Sequence, residues 1–351
     1  MNSNKSIWSD LPLSTGIATL VCYAGVFNDV IGVEELASTL GVSGQDEFST
    51  ALEELHLQRK LILKDGFAGL PDLEDKIAIK GSKIATAHQL INARLDDLRK
   101  LGRSPMIKFV GISGSLAANN PNGDRNHLMD MDLFMITRSQ CLWRYNVLRG
   151  IRTFFSRSKQ EPQLCINYIM DEENLLITNR NLFTATEIRK LIPVSGLDAY
   201  RKFLQVNNWV DYYYPRVSGA SAPVDENPSS SLSNKFFYVL YAMLRSIRWL
   251  SLDPLRELSF KTGPHLGSGL NLFRSPYGGY QAMVCKKFSR LAETWFPELL
   301  NAELIVKLFP DELSTEIIKG AIIDLARIIE HTDLESAYSK YGWQDILPKS
   351  G

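Results

Sequence analysis

Cysteine is scarce, with four in 351 residues. Cys22, Cys141, Cys165 and Cys285 are widely spaced and form no CxxC pair, which excludes a disulfide framework and a zinc-ribbon site and fits reduced thiols in a cytoplasmic protein. Charge of one sign is also missing. Lys plus Arg and Asp plus Glu both number 39, so net charge names no polyanionic or polycationic partner. The first residues, MNSNKSIWSDLPLS, lack the basic start and apolar run of a signal peptide. Long apolar runs are absent too. The most aromatic stretch, Phe236 to Leu250, contains Arg245 and Arg248 and is too short and too charged for an integral membrane segment. What is present is bulk: hydrophobic residues make up 45% of the chain, enough for the cores of two or three domains.

Charge is uneven locally. Between Arg103 and Gln160 nine basic residues stand against three acidic ones. The same region holds the most informative pattern in the chain. Lys108 to Ile112 reads as a buried strand, Ser113-Gly114-Ser115-Leu116-Ala117 as a turn into a short helix, and Met129 to Thr137 as a second strand that opens with two carboxylates. Strand alternation puts Asp130, Asp132 and Phe134 on one face and Met129, Met131, Leu133 and Met135 on the other. Two carboxylates on one face can share a hard cation. Gly114 lets the backbone turn without a Cβ, and the amides of Ser115, Leu116 and Ala117 would face phosphate oxygens. A Gly-Ser turn alone is usually only a turn, and Asp-x-Asp at a strand end is often a solvated edge; it is their conjunction, in this order, that points to chemistry.

This order of strand, Gly-Ser, loop and Asp-x-Asp strand resembles the nucleotidyltransferase superfamily that includes DNA polymerase β and the antibiotic nucleotidyltransferases. The strict motif covers about thirty residues; a looser likeness, to bacterial proteins that place this core between an N-terminal winged helix and a C-terminal helical part, covers most of the chain. The resemblance implies a mixed α+β or α/β fold with a small sheet flanked by helices. It implies Gly114 and Ser115 on the phosphates of a nucleoside triphosphate, and Asp130 and Asp132 on Mg²⁺ or Mn²⁺. Arg125 and Arg138 are candidate additional phosphate contacts. The activity implied is transfer of a nucleotide to a hydroxyl. Many members carry a third carboxylate in the next strand. Here Gln163 to Met170 fits that strand, alternation puts Cys165, Asn167 and Ile169 on one face, and the matching polar position is Asn167. An amide is a weaker magnesium ligand than a carboxylate and cannot serve as a base. Either Asp171 or Glu172 at the strand end substitutes, the acceptor needs no base, or turnover has been lost.

The remaining segments divide as residues 1–80 (winged-helix-like), 81–216 (nucleotidyltransferase core), 217–234 (linker) and 235–351 (helical). Residues 12–27, 33–40 and 48–61 have helical periodicity. Leu61 to Leu70 reads as a hairpin turning at Asp65-Gly66. The third of these helices is acidic (Asp46, Glu47, Glu53, Glu54), which argues against DNA and for a structural or protein-docking role. Residues 73–101 and 142–155 predict helices, and 181–209 two more separated by Pro193 and Gly196. The run Tyr212-Tyr213-Tyr214 suits either a base-stacking platform or, more simply, a seam between domains. Residues 217–234 are rich in Ser, Pro and Ala. Lys235 to Leu250 reads as an amphipathic helix that could dock on the core or lie at a membrane interface; its aromatics run nearly all round it, which favours docking. The glycine-rich loop Lys261 to Gly279, with His265, Arg274 and Tyr277, gives weak support to an acceptor pocket. The expected activity is a magnesium-dependent nucleotidyltransferase acting on a small hydroxyl-bearing acceptor rather than RNA or protein. The competing expectations are a catalytically silent nucleotide-binding or docking module and a winged-helix DNA-binding regulator.

Overall fold

The computed structural model describes residues 5–42, 44–121, 131–155, 164–215, 235–241, 243, 272–274 and 280–310. The architecture is mixed α+β with two sheets. In the N-terminal part, helices α1 (Leu13–Val26), α2 (Val33–Leu40) and α3 (Gln45–Leu57) pack with a three-stranded antiparallel sheet. Its strands are β1 (Ile31–Gly32), β2 (Ile62–Lys64) and β3 (Phe67–Gly69), in the order β1-β3-β2. The expected helical periodicities and the turn at Asp65-Gly66 appear here. Helix α1 is buried on nearly all sides, which explains its lack of a polar stripe.

Helix α4 (Glu74–Gly102) runs unbroken through position 80/81 and delivers the chain to the second sheet. That sheet has five strands in the order β7-β4-β5-β6-β8. Strand β4 (Ile107–Ile112) pairs antiparallel with β5 (Met131–Thr137). Strand β5 pairs parallel with β6 (Leu164–Asp171), the chain crossing over through α6 (Leu142–Phe155). The edges are β7 (Ile192–Ser195) and β8 (Leu272–Arg274), both antiparallel to their neighbours. Neither edge strand was expected. Residues 192–195 sit between α7 (Leu182–Arg189) and α8 (Leu197–Val206), where Pro193 reads as a breaker; as an edge residue it needs to donate no bond on its outer side. Strand β8 falls inside the glycine-rich stretch.

The two faces of this sheet carry separate cores. One buries Met131, Leu133 and Met135 with Ile166 and Ile169 against Ala87, Ile91 and Leu98 of α4 and Leu142 and Trp143 of α6. The other buries Phe134 and Ile136 with Phe109, Met170 and Phe203, and this cluster continues into the N-terminal helices. Helix Tyr280–Trp295 also joins it, lying along α1 with Cys22 Sγ donating to the Phe288 carbonyl at 3.6 Å. Tyr213 and Tyr214 form the seam: the Tyr213 hydroxyl donates to the Lys307 carbonyl (2.8 Å), Trp8 Nε1 donates to the Tyr213 carbonyl (2.5 Å), and the Tyr214 hydroxyl meets Thr186 Oγ1 at 2.7 Å. These buried rings are structural ties, not a stacking platform. Residues 235–241 are helical, and Tyr238 and Tyr241 dock on Trp143 with ring centroids 4.8 and 5.2 Å away. The whole of the expected linker, 217–234, lies outside the described residues, as do His265 and Tyr277. Among the described residues no helix is long and apolar enough to cross a membrane.

Candidate functional site

Pairing of β4 with β5 brings together two motifs that are far apart in sequence. Ile112 stands opposite Leu133, and the Ser113 N–H donates to the Asp132 carbonyl at 2.9 Å, so the chain leaves β4 directly beside Asp132. Gly114 then takes the left-handed conformation, φ 66°, and opens the one-turn helix α5 (Gly114–Ala117). Only glycine is suited to this position, because a Cβ there would stand on the Asp132 carboxylate, with Asp132 Cβ 3.0 Å away. Ser115 is half-buried at the start of α5, and Asp132 is half-buried in a strand whose other residues are buried.

Asp132 shares its face with Phe134, as alternation requires, and in register across β6 with Cys165. Beyond that pair the alternation expected for β6 breaks. Leu133 pairs with Ile166 but Phe134 pairs with Tyr168, so Asn167 is an extra residue at a β-bulge. The bulge moves Ile169 to the opposite core and brings Tyr168 onto the Asp132 face, where it stacks on Phe134 at 5.1 Å. Asn167 is half-buried, and its Oδ1 accepts a weak bond from Cys165 Sγ at 3.3 Å.

A carboxylate that sequence reasoning missed also reaches this turn. Glu187, on α7, is half-buried, and the Gly114 N–H is directed at its carboxylate. Burial raises its pKa, while the Gly114 amide and Lys190 favour the charged form. Helix α7 is placed by Asn181, whose Oδ1 accepts the Thr184 N–H at 2.8 Å as an N-cap. Lys190, just beyond the helix, pairs with Glu35 of α2 at 3.1 Å.

Arg138 is not part of this assembly. It is exposed and lies six positions after Asp132, roughly 20 Å along the strand at the usual rise; its N–H donates to the Met106 carbonyl at the other end of β4. Asp171 and Glu172 sit at that same far end and do not replace Asn167. Asp171 accepts from the amides of Gln140 (2.7 Å) and Glu173 (3.1 Å). Glu172 accepts from the Ser139 amide (2.9 Å) and pairs with Lys108 (3.2 Å). Arg125 and Asp130 lie outside the described residues. Among the described residues no group of three or more His, Cys, Asp or Glu is disposed around a metal position. The site therefore consists of Gly114, Ser115, Asp132, Asn167 and Glu187. In comparisons with known proteins the chain matches no family model, no curated protein and no solved structure.

Proposed function

We propose that this chain is a magnesium-dependent nucleotidyltransferase with a polymerase β-like core, moving a nucleoside monophosphate from a nucleoside triphosphate to a hydroxyl of a small acceptor. The observation that carries the reading is the packing of the Gly114 turn on the Asp132 carboxylate. A phosphate-sized anion at the amides of α5 and a cation at Asp132 would then be neighbours, which is the arrangement a metal-bound triphosphate needs.

The donor set suits magnesium. Asp132 and the Asn167 amide supply hard oxygens, and magnesium is commonly held by one or two carboxylates with the remaining positions filled by water and phosphate. Asp132, with Asp130 two residues earlier in the sequence, would hold the ion; when bound it would neutralise charge on the transferring phosphoryl group and the departing pyrophosphate. Ser115 and the α5 amides would orient the triphosphate. Closely packed side chains around Gly114 would limit water at the reacting phosphorus.

The test is incubation of the full chain with labelled nucleoside triphosphates, Mg²⁺ or Mn²⁺ and a panel of hydroxyl acceptors, beside the Asp130→Ala, Asp132→Ala double variant. Pyrophosphate release by the wild type alone supports the reading. Equal release by both, or no nucleotide binding, removes it.

Asn167 favours a second reading, a nucleotide-binding module without turnover, because its amide cannot take the acceptor proton. Saturable nucleotide binding with no product from any acceptor would select it. The N-terminal helices and three-stranded sheet resemble a winged helix. The exposed acidic residues Asp46, Glu47, Glu53 and Glu54 on α3 support protein docking over duplex DNA.

A further inference from the structure

The Gly114–Asn120 segment is held from outside by side chains that its own strands do not supply. Two residues beyond α5 stands Asn119, a non-glycine residue with φ 53°, whose carbonyl accepts from Lys80 Nζ at 3.3 Å. Lys80 is buried on α4 and binds both carboxylate oxygens of Asp29, at 2.8 and 2.6 Å. Asn120 is 2% exposed, and its backbone N–H, side-chain NH2 and Oδ1 each have a partner. Its N–H returns to the Ser115 carbonyl (2.9 Å), its side-chain amide donates to the Phe27 carbonyl (3.0 Å), and its Oδ1 accepts from Lys83 Nζ (2.6 Å). Phe27 and Asp29 belong to the turn that follows α1, and Lys80 and Lys83 lie one turn apart on α4.

A buried ion pair is a poor source of net stability, since desolvation of both ions offsets most of their attraction. The Asp29–Lys80 pair needs another reason for its place. It aims a charged donor at the carbonyl of a strained residue that closes the phosphate turn, while Lys83 and Phe27 fix the residue after it. We infer that Asp29, Lys80 and Lys83 are positioning residues through which the N-terminal helices set the geometry of the Gly114–Asn120 turn and so its affinity for the triphosphate. The inference rests on the nucleotide-binding reading above. It makes the N-terminal module part of the site.

The test uses the full chain in two variants. Asp29→Leu with Lys80→Met removes both buried charges together, a change that buried ion pairs commonly tolerate, yet leaves the Asn119 carbonyl without its donor. Lys83→Met removes only the Asn120 contact and decides the matter should the double variant not fold. Binding of a non-hydrolysable ATP analogue with Mg²⁺ is measured by calorimetry, and hydrogen exchange of residues 113–121 is measured without ligand. Affinity about tenfold weaker than wild type, with faster exchange confined to 113–121 and little change in melting temperature, is the expected result. Folded variants with unchanged affinity and unchanged exchange would overturn the inference. If the wild type itself binds no nucleotide, the proposed function falls, and the exchange data alone decide whether the N-terminal helices hold the turn.

Discussion

The two ends of strand β5 contain similar residues put to different uses. At the far end, Asp171, Glu172 and Glu173 receive the polar groups of the Arg138–Gln140 turn: Asp171 takes the Gln140 amide, Glu172 takes the Ser139 amide and pairs with Lys108, and Glu173 takes the Ser139 hydroxyl. Those carboxylates close a turn. At the near end, Asp132 is half-buried against a left-handed glycine, and a second carboxylate, Glu187, faces the amide of that glycine. Acidity alone does not mark a reactive site. What separates the two ends is that Asp132 packs on the left-handed Gly114 at the start of α5, the turn proposed to take a phosphate.

The largest effect should come from Asp132. Its replacement by Ala is expected to lower pyrophosphate release roughly a thousandfold, about 4 kcal/mol of transition-state stabilisation, with the melting temperature little changed. Two glycines then separate the ends by kind of damage. Gly196, φ 76°, has the Lys108 carbonyl where a Cβ would stand, and backbone cannot step aside. Gly196→Ala should cost about 3 kcal/mol or more in urea unfolding. Gly114→Ala meets the Asp132 side chain, which can rotate, so about 1–2 kcal/mol of strain is expected, accompanied by a clear loss of nucleotide affinity as the carboxylate is pushed away.

A smaller effect tests the far end by pH. Burial raises the Asp171 carboxyl from 3.8 to about 6, against the pull of the two amides that it accepts. The folded protein therefore holds this proton more tightly than the unfolded chain does. The corresponding stability is full below 3.8 and is lost as pH rises through about 6. Asp171→Asn keeps an acceptor for only one of the two amides, which bind different carboxylate oxygens; it should lower stability overall and flatten that part of the profile, read from melting temperatures between pH 4 and 7. The smallest effect belongs to Arg138→Ala, which should shift stability by less than about 0.5 kcal/mol and leave nucleotide binding intact. A large loss of affinity would bring Arg138 back into the site.

The sequence was informative where local pattern and tertiary environment agree. Strands β4 and β5 are apolar runs bounded by turn residues, the Gly-Ser turn demands a backbone that glycine favours, and α1 to α4 carry helical spacing, so these elements were visible in advance. The bulge at Asn167 was not, because an extra residue in one strand is set by pairing with its neighbour and leaves no mark in a run such as Cys-Ile-Asn-Tyr-Ile. Glu187 was hidden for a related reason. One glutamate on a short helix reads as a solvated residue, and only the packing of α7 beside the β4–α5 turn turns it toward Gly114. The short edge strands β7 and β8 take their conformation from the sheet they extend, against the local signals of Pro193 and the surrounding glycines. Arg138 shows the converse error: a basic residue close in sequence to Asp132 is carried away at about 3.3 Å per residue by the strand itself.

Hydrogen exchange of the full chain with saturating Mg²⁺ and a non-hydrolysable nucleoside triphosphate tests the division between the two ends most directly. Protection is predicted over residues 112–117 and 131–133, with residues 138–140 and 171–173 unchanged. Protection at the Arg138–Asp171 end, with none at Gly114 and Asp132, would contradict the account.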